Sequence, residues 1–229
     1  MKKTILIVGG SHGIGNAIAS QQLSAHHVVS FSRTTAGITD SNFTEHLMDI
    51  RVADLPTIDS LDAIIYCPGS IQLKPISSLK EEALREDFEI NVIGAYRVIK
   101  NYHRILKRSK ANPSIVMFST VAVAQGMPFH TSVAAAKGAV EGMVRSLAAE
   151  FAPTIRVNAI APTITDTPLA SGLLRNDAMR EKMKERHPLK RILDVEEVAS
   201  MASYLISDQA RSITGQVIGI DAGMSIVRN

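Results

Sequence analysis

Three glycines, Gly9, Gly13 and Gly15, follow the apolar run Thr-Ile-Leu-Ile-Val at residues 4–8 and open a stretch of helical character. The run is short and β-branched at both ends, which reads as a buried strand. A strand that passes straight into a helix through G-x-x-x-G-x-G leaves few folds open. Glycine permits the tight turn and lets main-chain N–H groups approach a pyrophosphate, which a helix N-terminus also favours. Ser11, His12 and Ile14 complete the turn. A glycine-rich turn without a ligand is the plainer alternative, but the strand–turn–helix context weighs against it.

Further strands are expected at residues 27–32, 44–49, 61–66, 114–118, 155–160 and 216–220, and helices at 14–25, 81–107, 132–151 and 195–207. Phe88, Val92, Ala95 and Ile99 fall on one face of the long helix. Continuous apolar strands alternating with helices imply an α/β fold. It is a doubly wound parallel sheet of about seven strands with helices on both faces. No repeat or linker interrupts residues 1–229, so a single domain is expected. Residues 163–190 lack a core pattern and are long for a connection. They are expected to form a substrate-binding lid, with Leu169, Leu173, Leu174 and Met179 as an apolar wall. Residues 125–130 are expected to contribute as well.

The end of the second strand selects the cofactor. An acidic residue there would hold a ribose 2′-hydroxyl. This chain has Ser32, Arg33 and Thr34 instead. The guanidinium of Arg33 suits a 2′-phosphate in charge and geometry, with His12 close by in the turn. NADP(H) is therefore preferred over NAD(H), although a solvated surface arginine is the plainer account of Arg33.

Composition removes other classes. The formal charge is only +3, with no Trp and 4% aromatics, which argues against a nucleic-acid partner. One cysteine, Cys67, forms no intrachain disulfide and no Cys-based zinc site, and no other spacing suggests a metal. Beside Pro68, Cys67 reads as a packing residue. The charged start Met1-Lys2-Lys3 is followed by too short an apolar run for a signal peptide, and nothing reaches the roughly 20 apolar residues of a membrane span. A cytoplasmic protein is expected. Arg104, Lys107, Arg108 and Lys110 end a helix, where its dipole favours them.

Taken in order, these residues resemble the short-chain dehydrogenase/reductase family over nearly the whole chain. Gly9-Gly10-Ser11-His12-Gly13-Ile14-Gly15 resembles its T-G-x-x-x-G-I-G turn. Asp49, with Ile50 beside it, stands where the family places an Asp near the adenine. Tyr66-Cys67-Pro68-Gly69 occupies the N-N-A-G position and keeps only the Gly. Asn91 matches the active-site Asn. Val157-Asn158-Ala159-Ile160-Ala161-Pro162 matches V-N-x-I-x-P-G, with Thr163 in place of the Gly. Asp166-Thr167-Pro168 matches the D-T-P whose Thr holds the nicotinamide carboxamide, with Thr165 just before it. Ile213-Thr214-Gly215-Gln216 and Asp221-Ala222-Gly223 resemble the C-terminal I-T-G-Q and D-G-G. The chain is about 20 residues short after the third strand, so a helix there is expected to be shortened or absent.

The resemblance implies a Rossmann-type fold and a small-molecule substrate, here with an apolar part. It also implies a homodimer or homotetramer built through the Ala- and Gly-rich helix at 132–151. It places Gly9, Ser11, His12, Gly13, Ile14, Gly15, Ser32, Arg33, Thr34, Asp49, Ile50, Cys67, Pro68, Gly69, Asn91, Lys137, Pro162, Thr165 and Thr167 around the cofactor. The family's catalytic set is a Ser, a Tyr thirteen positions on, and a Lys four later, with the Asn anchoring a water. Lys137 matches the Lys and Thr120 replaces the Ser, but Val133 stands at the Tyr. Losing a positioned general acid typically costs about 10²–10⁴-fold in rate, whereas hydride transfer belongs to the cofactor. A water on Lys137, or His130, can replace the phenol. His130 lies seven residues before Lys137, a spacing similar to the Tyr-x6-Lys of divergent enoyl reductases, although a pocket-lining loop histidine is the plainer account. The expectation is an NADP(H)-dependent oxidoreductase for a carbonyl or alcohol, with a relay of Asn91, Thr120, Lys137 and water or His130. The alternative is a catalytically impaired NADP(H)-binding homologue with a regulatory or structural role.

Overall fold

A computed structural model describes residues 2–227, and Met1 lies outside it. Strands β1 (Thr4–Val8), β2 (His27–Ser32), β3 (Phe43–Leu47), β4 (Ala63–Tyr66), β5 (Ser114–Phe118), β6 (Arg156–Pro162) and β7 (Val217–Ile220) form one sheet. Its order is β3-β2-β1-β4-β5-β6-β7, and every pair is parallel. The order reverses beside β1, which opens the crevice where such sheets bind ligands. The helices are α1 (Gly13–Gln22), α2 (Glu81–Phe88), α3 (Gly94–Leu106), α4 (Val121–Ala124), α5 (Thr131–Phe151), α6 (Asp177–Glu185) and α7 (Val195–Ile206). One core, containing Ile5, Ile7, Ile18, Ala202 and Leu205, lies on the α1/α7 face, and another, containing Leu6, Ile64, Val98, Tyr102 and Val144, on the α3/α5 face.

Two crossovers carry no helix. The expected loss after β3 is present at residues 48–62, but residues 33–42 between β2 and β3 are also helix-free. Loop side chains take over the burial. Met48, Leu55, Ile58 and Leu61 join the α3/α5 core, while Ile38 and Phe43 pack on the other face. Helix α3 pins the loop. Tyr102 Oη donates to the Pro56 carbonyl at 2.6 Å, and the Arg97 guanidinium donates to the carbonyls of Arg51 and Ala53. Phe31 is fully buried against His46 and Tyr102. Burial of such a ring contributes about 1.5–3 kcal/mol.

The strand expected at 44–49 is shorter, which leaves Asp49 in the following turn. The helix expected at 81–107 is broken by a π-helical turn at Glu89–Ile93. The extra residue in that turn shifts the register. Asp87, not Phe88, becomes the fully buried position before it, and Asn91 is buried within it. The helix expected to start at Ile14 begins at Gly13 and ends at Gln22.

Candidate active site

The glycine turn is sterically obligatory. Gly9 and Gly13 have φ of 80° and 54°, in the left-handed region. A Cβ on Gly15 would lie 2.1 Å from the Gly9 carbonyl oxygen, so no side chain fits there. A Cβ on Gly13 would lie 3.2 Å from the Thr167 methyl, so the chain after β6 closes over the turn. No side chain caps α1, and its first turn has no acidic residue. Its leading N–H groups and positive dipole end are left for an anion.

Beyond the turn, a cleft of about 410 Å³ is lined by Gly9, Ser11, His12, Ser32, Arg33, Thr34, Asp49, Ile50, Pro68 and Gly69. His12 Nδ1 lies 2.9 Å from Ser11 Oγ, and Thr34 Oγ1 donates to Ser11 Oγ at 3.1 Å. Ser32 Oγ is buried without a partner. The structure adds Arg51, which sequence reasoning missed. Its Nε and Nη2 donate to both Asp49 oxygens at 2.7–3.1 Å, and its Nη1 donates to Glu86 at 2.6 Å. Hydrogen bonding from Arg51 pulls the Asp49 carboxyl down to about 2. Asp49 therefore faces the cleft as an anion already clamped by a cation. Only the turn after β3 brings the two side chains together.

A second, mostly apolar cavity of about 240 Å³ meets this cleft at Gly69. Ile14, Cys67, Thr120, His130, Val133, Lys137, Pro162, Thr165 and Thr167 all line it. Lys137 is buried and donates to the Phe118 carbonyl at 2.8 Å. Burial pulls its pKa down to about 8, against the attraction of Cys67 and Asp87. Thr120 caps α4, its Oγ1 accepting from Ala122 N–H at 3.3 Å. Val133 is buried one helical turn before Lys137. His130 Nδ1 lies 2.7 Å from the Pro128 carbonyl, so that nitrogen carries a proton and Nε2 is the remaining ring site. Burial pushes the Cys67 thiol up to about 12, which keeps it protonated.

Asn91 does not line the cavity. It is buried behind Gly69, with Nδ2 donating to the Asp87 carbonyl at 2.8 Å and to Ser70 Oγ at 3.4 Å, while Oδ1 has no partner. Ser70 lines the cavity and donates to Asp87. The lid expectation needs correction in part. Leu169 and Leu173 line the cavity, but Leu174 packs inward at 5% exposure and Met179 is not in the wall. Met183, Arg186 and His187 take that place. His187 is buried, holding Thr163 Oγ1 at 2.8 Å and donating to the Met183 carbonyl at 2.7 Å. The helix that carries Met183 and ends just before Arg186 was not recognised from sequence, because α6 is strongly polar and buries none of its own residues.

Among the described residues there is no group of His, Cys, Asp and Glu able to hold a metal, and no helix is long and apolar enough to cross a membrane. A family profile described as enoyl-(acyl carrier protein) reductase matches residues 16–225. A 3-oxoacyl-[acyl-carrier-protein] reductase of Thermotoga maritima is 30% identical, with 98% of each chain covered. A tropinone reductase homologue of Arabidopsis thaliana is 28% identical over 96% of this chain and 92% of its own. A structure of a 4-hydroxyisoleucine dehydrogenase mutant with NADH and succinate superimposes with a TM-score of 0.89 at 26% identity, covering 99% of this chain and all of its own. The chain belongs to the short-chain dehydrogenase/reductase family, a family of oxidoreductases.

Proposed function

We propose that this protein is an NADP(H)-dependent oxidoreductase that interconverts a carbonyl and an alcohol without the family's tyrosine. One observation carries the reading. Thr120, Val133 and Lys137 line one cavity, which meets the outer cleft at Gly69, with Asn91 buried behind that glycine. The residues fit a nicotinamide dinucleotide. The glycine cradle has no room for a side chain, α1 is uncapped, and Ser32 Oγ is an unpaired polar atom beside Arg33. In this reading the glycine turn and the α1 N-terminus hold the pyrophosphate, and Arg33, with His12, Ser11 and Thr34, holds the 2′-phosphate. Thr165 and Thr167 bind the nicotinamide side. The bound cofactor supplies or accepts the hydride.

The chain's own work is binding, orientation and proton transfer. Thr120 holds the substrate oxygen by its hydroxyl. Lys137, neutral in part near physiological pH, binds ribose hydroxyls and a water in the space beside Val133. His130 Nε2 is a second proton site at the outer wall. Residues 163–190 close over an apolar substrate through Leu169, Leu173 and Met183. Steady-state oxidation of NADPH and NADH against a panel of ketones and aldehydes tests this reading. NADPH consumption that depends on Lys137 supports it. Tight NADPH binding without turnover in the wild type, with turnover gained in Val133→Tyr, overturns it in favour of a cofactor-binding homologue.

A further inference from the structure

We propose that Arg186 is the anion anchor of the substrate cavity, and that the substrate is a compact oxo or hydroxy acid with an apolar body between its carboxylate and its reacting carbon. The proposal rests on the oxidoreductase reading above and names the substrate class for that same site.

The wall of the inner cavity is mostly apolar and contains no Asp or Glu. Two of its residues, Lys137 and Arg186, carry a full positive charge when protonated. Lys137 is committed to the cofactor side. It donates to the Phe118 carbonyl and stands beside Gly69, where an added Cβ would lie 3.6 Å from Nζ. His187 is also in the wall, but both its ring nitrogens are engaged, one by Thr163 and one by the Met183 carbonyl. Arg186 is free by comparison. It forms no ion pair among the described residues, and its Nη1 lies 3.6 Å from the Met183 sulfur, a weak acceptor in the same wall.

The cations around it are held differently. Arg180 pairs with Asp166 at 2.8 Å, Lys184 with Glu181 at 3.1 Å and Lys190 with Glu185 at 3.0 Å. The negative end of the α6 dipole favours a cation near residue 186. That account applies equally to Lys182 and Lys184, and neither of them lines the cavity. Arg186 is the basic residue of this segment that reaches the wall.

A small number of polar groups in an apolar pocket fixes a ligand's orientation. The guanidinium is a planar, permanently charged fork that matches a carboxylate through two parallel hydrogen bonds. One guanidinium balances one negative charge, which fits a carboxylate better than a phosphate ester. Leu169, Leu173 and Met183 come from the same stretch of chain and cover the apolar body. Thr120 and Lys137 belong to other elements, so the carboxylate and the reacting carbon are gripped separately. A cavity of about 240 Å³ is small beside the ~300–1,000 Å³ of drug-sized sites, which sets a compact substrate. An amine would meet two cations and no acid, so the same wall rejects it.

The test is NADPH oxidation with a series of oxo acids, each beside its own methyl ester. The wild type is expected to favour the acids in kcat/KM by roughly tenfold or more. Arg186→Gln is expected to lose that preference through KM, with the esters and NADPH affinity unaffected, and Arg186→Lys to keep part of it. Lys182→Gln removes the same charge one helical turn away, outside the wall, and is expected to behave as wild type. A wild type without acid preference, or an Arg186→Gln that keeps it, overturns the proposal and leaves the oxidoreductase reading intact. Equal loss in Lys182→Gln also overturns it, because a general field would then be acting.

Calorimetric titration of the full chain with isocaproate and isocaproamide, with and without NADPH, needs no turnover. The carboxylate is expected to bind roughly tenfold tighter than the amide, and Arg186→Gln to erase the difference. Binding of neither, or of both equally, overturns the proposal. Arg186-dependent binding of isocaproate, with no turnover on the whole panel, supports the anchor and defeats the oxidoreductase reading alone.

Discussion

Lys137 Nζ reaches across from α5 to donate to the Phe118 main-chain oxygen, the last carbonyl of β5, at 2.8 Å. The ammonium is held in an apolar wall by one carbonyl, and burial brings its pKa down to about 8. The unfolded chain titrates this lysine near 10.5. The charged form is therefore penalised by folding. The penalty is fully present below about pH 8 and fades as pH rises through the window up to about 10.5, so stability gained from this group increases with pH there. Lys137→Met has no such titration. Thermal unfolding of the two proteins, compared across that window, is expected to move in favour of the wild type by on the order of 3 kcal/mol. A constant difference contradicts the assignment.

Arg33 is exposed at the mouth of the outer cleft, beside the Ser11, His12 and Thr34 group. Its guanidinium would meet only the 2′-phosphate, since NADH carries a hydroxyl there. A charge-assisted hydrogen bond contributes about 1.5–3 kcal/mol. Arg33→Ala is expected to weaken NADPH binding about tenfold or more and to leave NADH binding unchanged. Equal weakening of both cofactors in a binding titration refutes a 2′-phosphate role.

The sheet and the glycine turn were legible because their signals are local. β1, β2 and β5 fall at the residues their apolar runs mark out, and the turn is written in three glycines. That Val133 stands one helical turn before Lys137 was equally legible, since four residues separate them on α5. What stayed hidden depends on the register of one element against another. Arg51 meets Asp49 only through a turn that follows a shortened strand. The burial of Asp87, at the end of α2, stayed hidden because the helix expected at 81–107 was read as unbroken by the π-helical turn that follows it. The second helix-free crossover was missed because residues 33–42 are polar, and polarity alone does not separate a loop from a surface helix.

Gly15 is the position where the turn tolerates least. A Cβ would stand 2.1 Å from the Gly9 oxygen, which is main chain and has no rotamer to move to. Gly15→Ala forces β1 and α1 apart and is expected to cost about 1–3 kcal/mol of stability and to abolish cofactor binding. Gly126→Ala is the contrast. Nothing lies within 4 Å of its added carbon, so a change within about 0.5 kcal/mol is expected. Denaturant melts of the two variants check the pair.

Ala135, Gly142 and Ala149 are exposed on α5 at intervals of seven residues, which places them on one stripe of the helix. A Cβ on Gly142 would meet nothing within 4 Å, so the groove there is open to an approaching chain. Small residues at that spacing let a second backbone come close, and the neighbouring α3 presents Tyr96 at 49% exposure. If a homo-oligomer forms through α5, a carboxylate in the stripe is buried against its own copy, where like charges and desolvation both oppose association. Gly142→Glu is then expected to elute as a monomer while the wild type elutes as a dimer or tetramer, with light scattering to fix each mass. The same elution for both proteins removes α5 from the interface, because a glutamate at a closely packed crossing cannot be accommodated without separation.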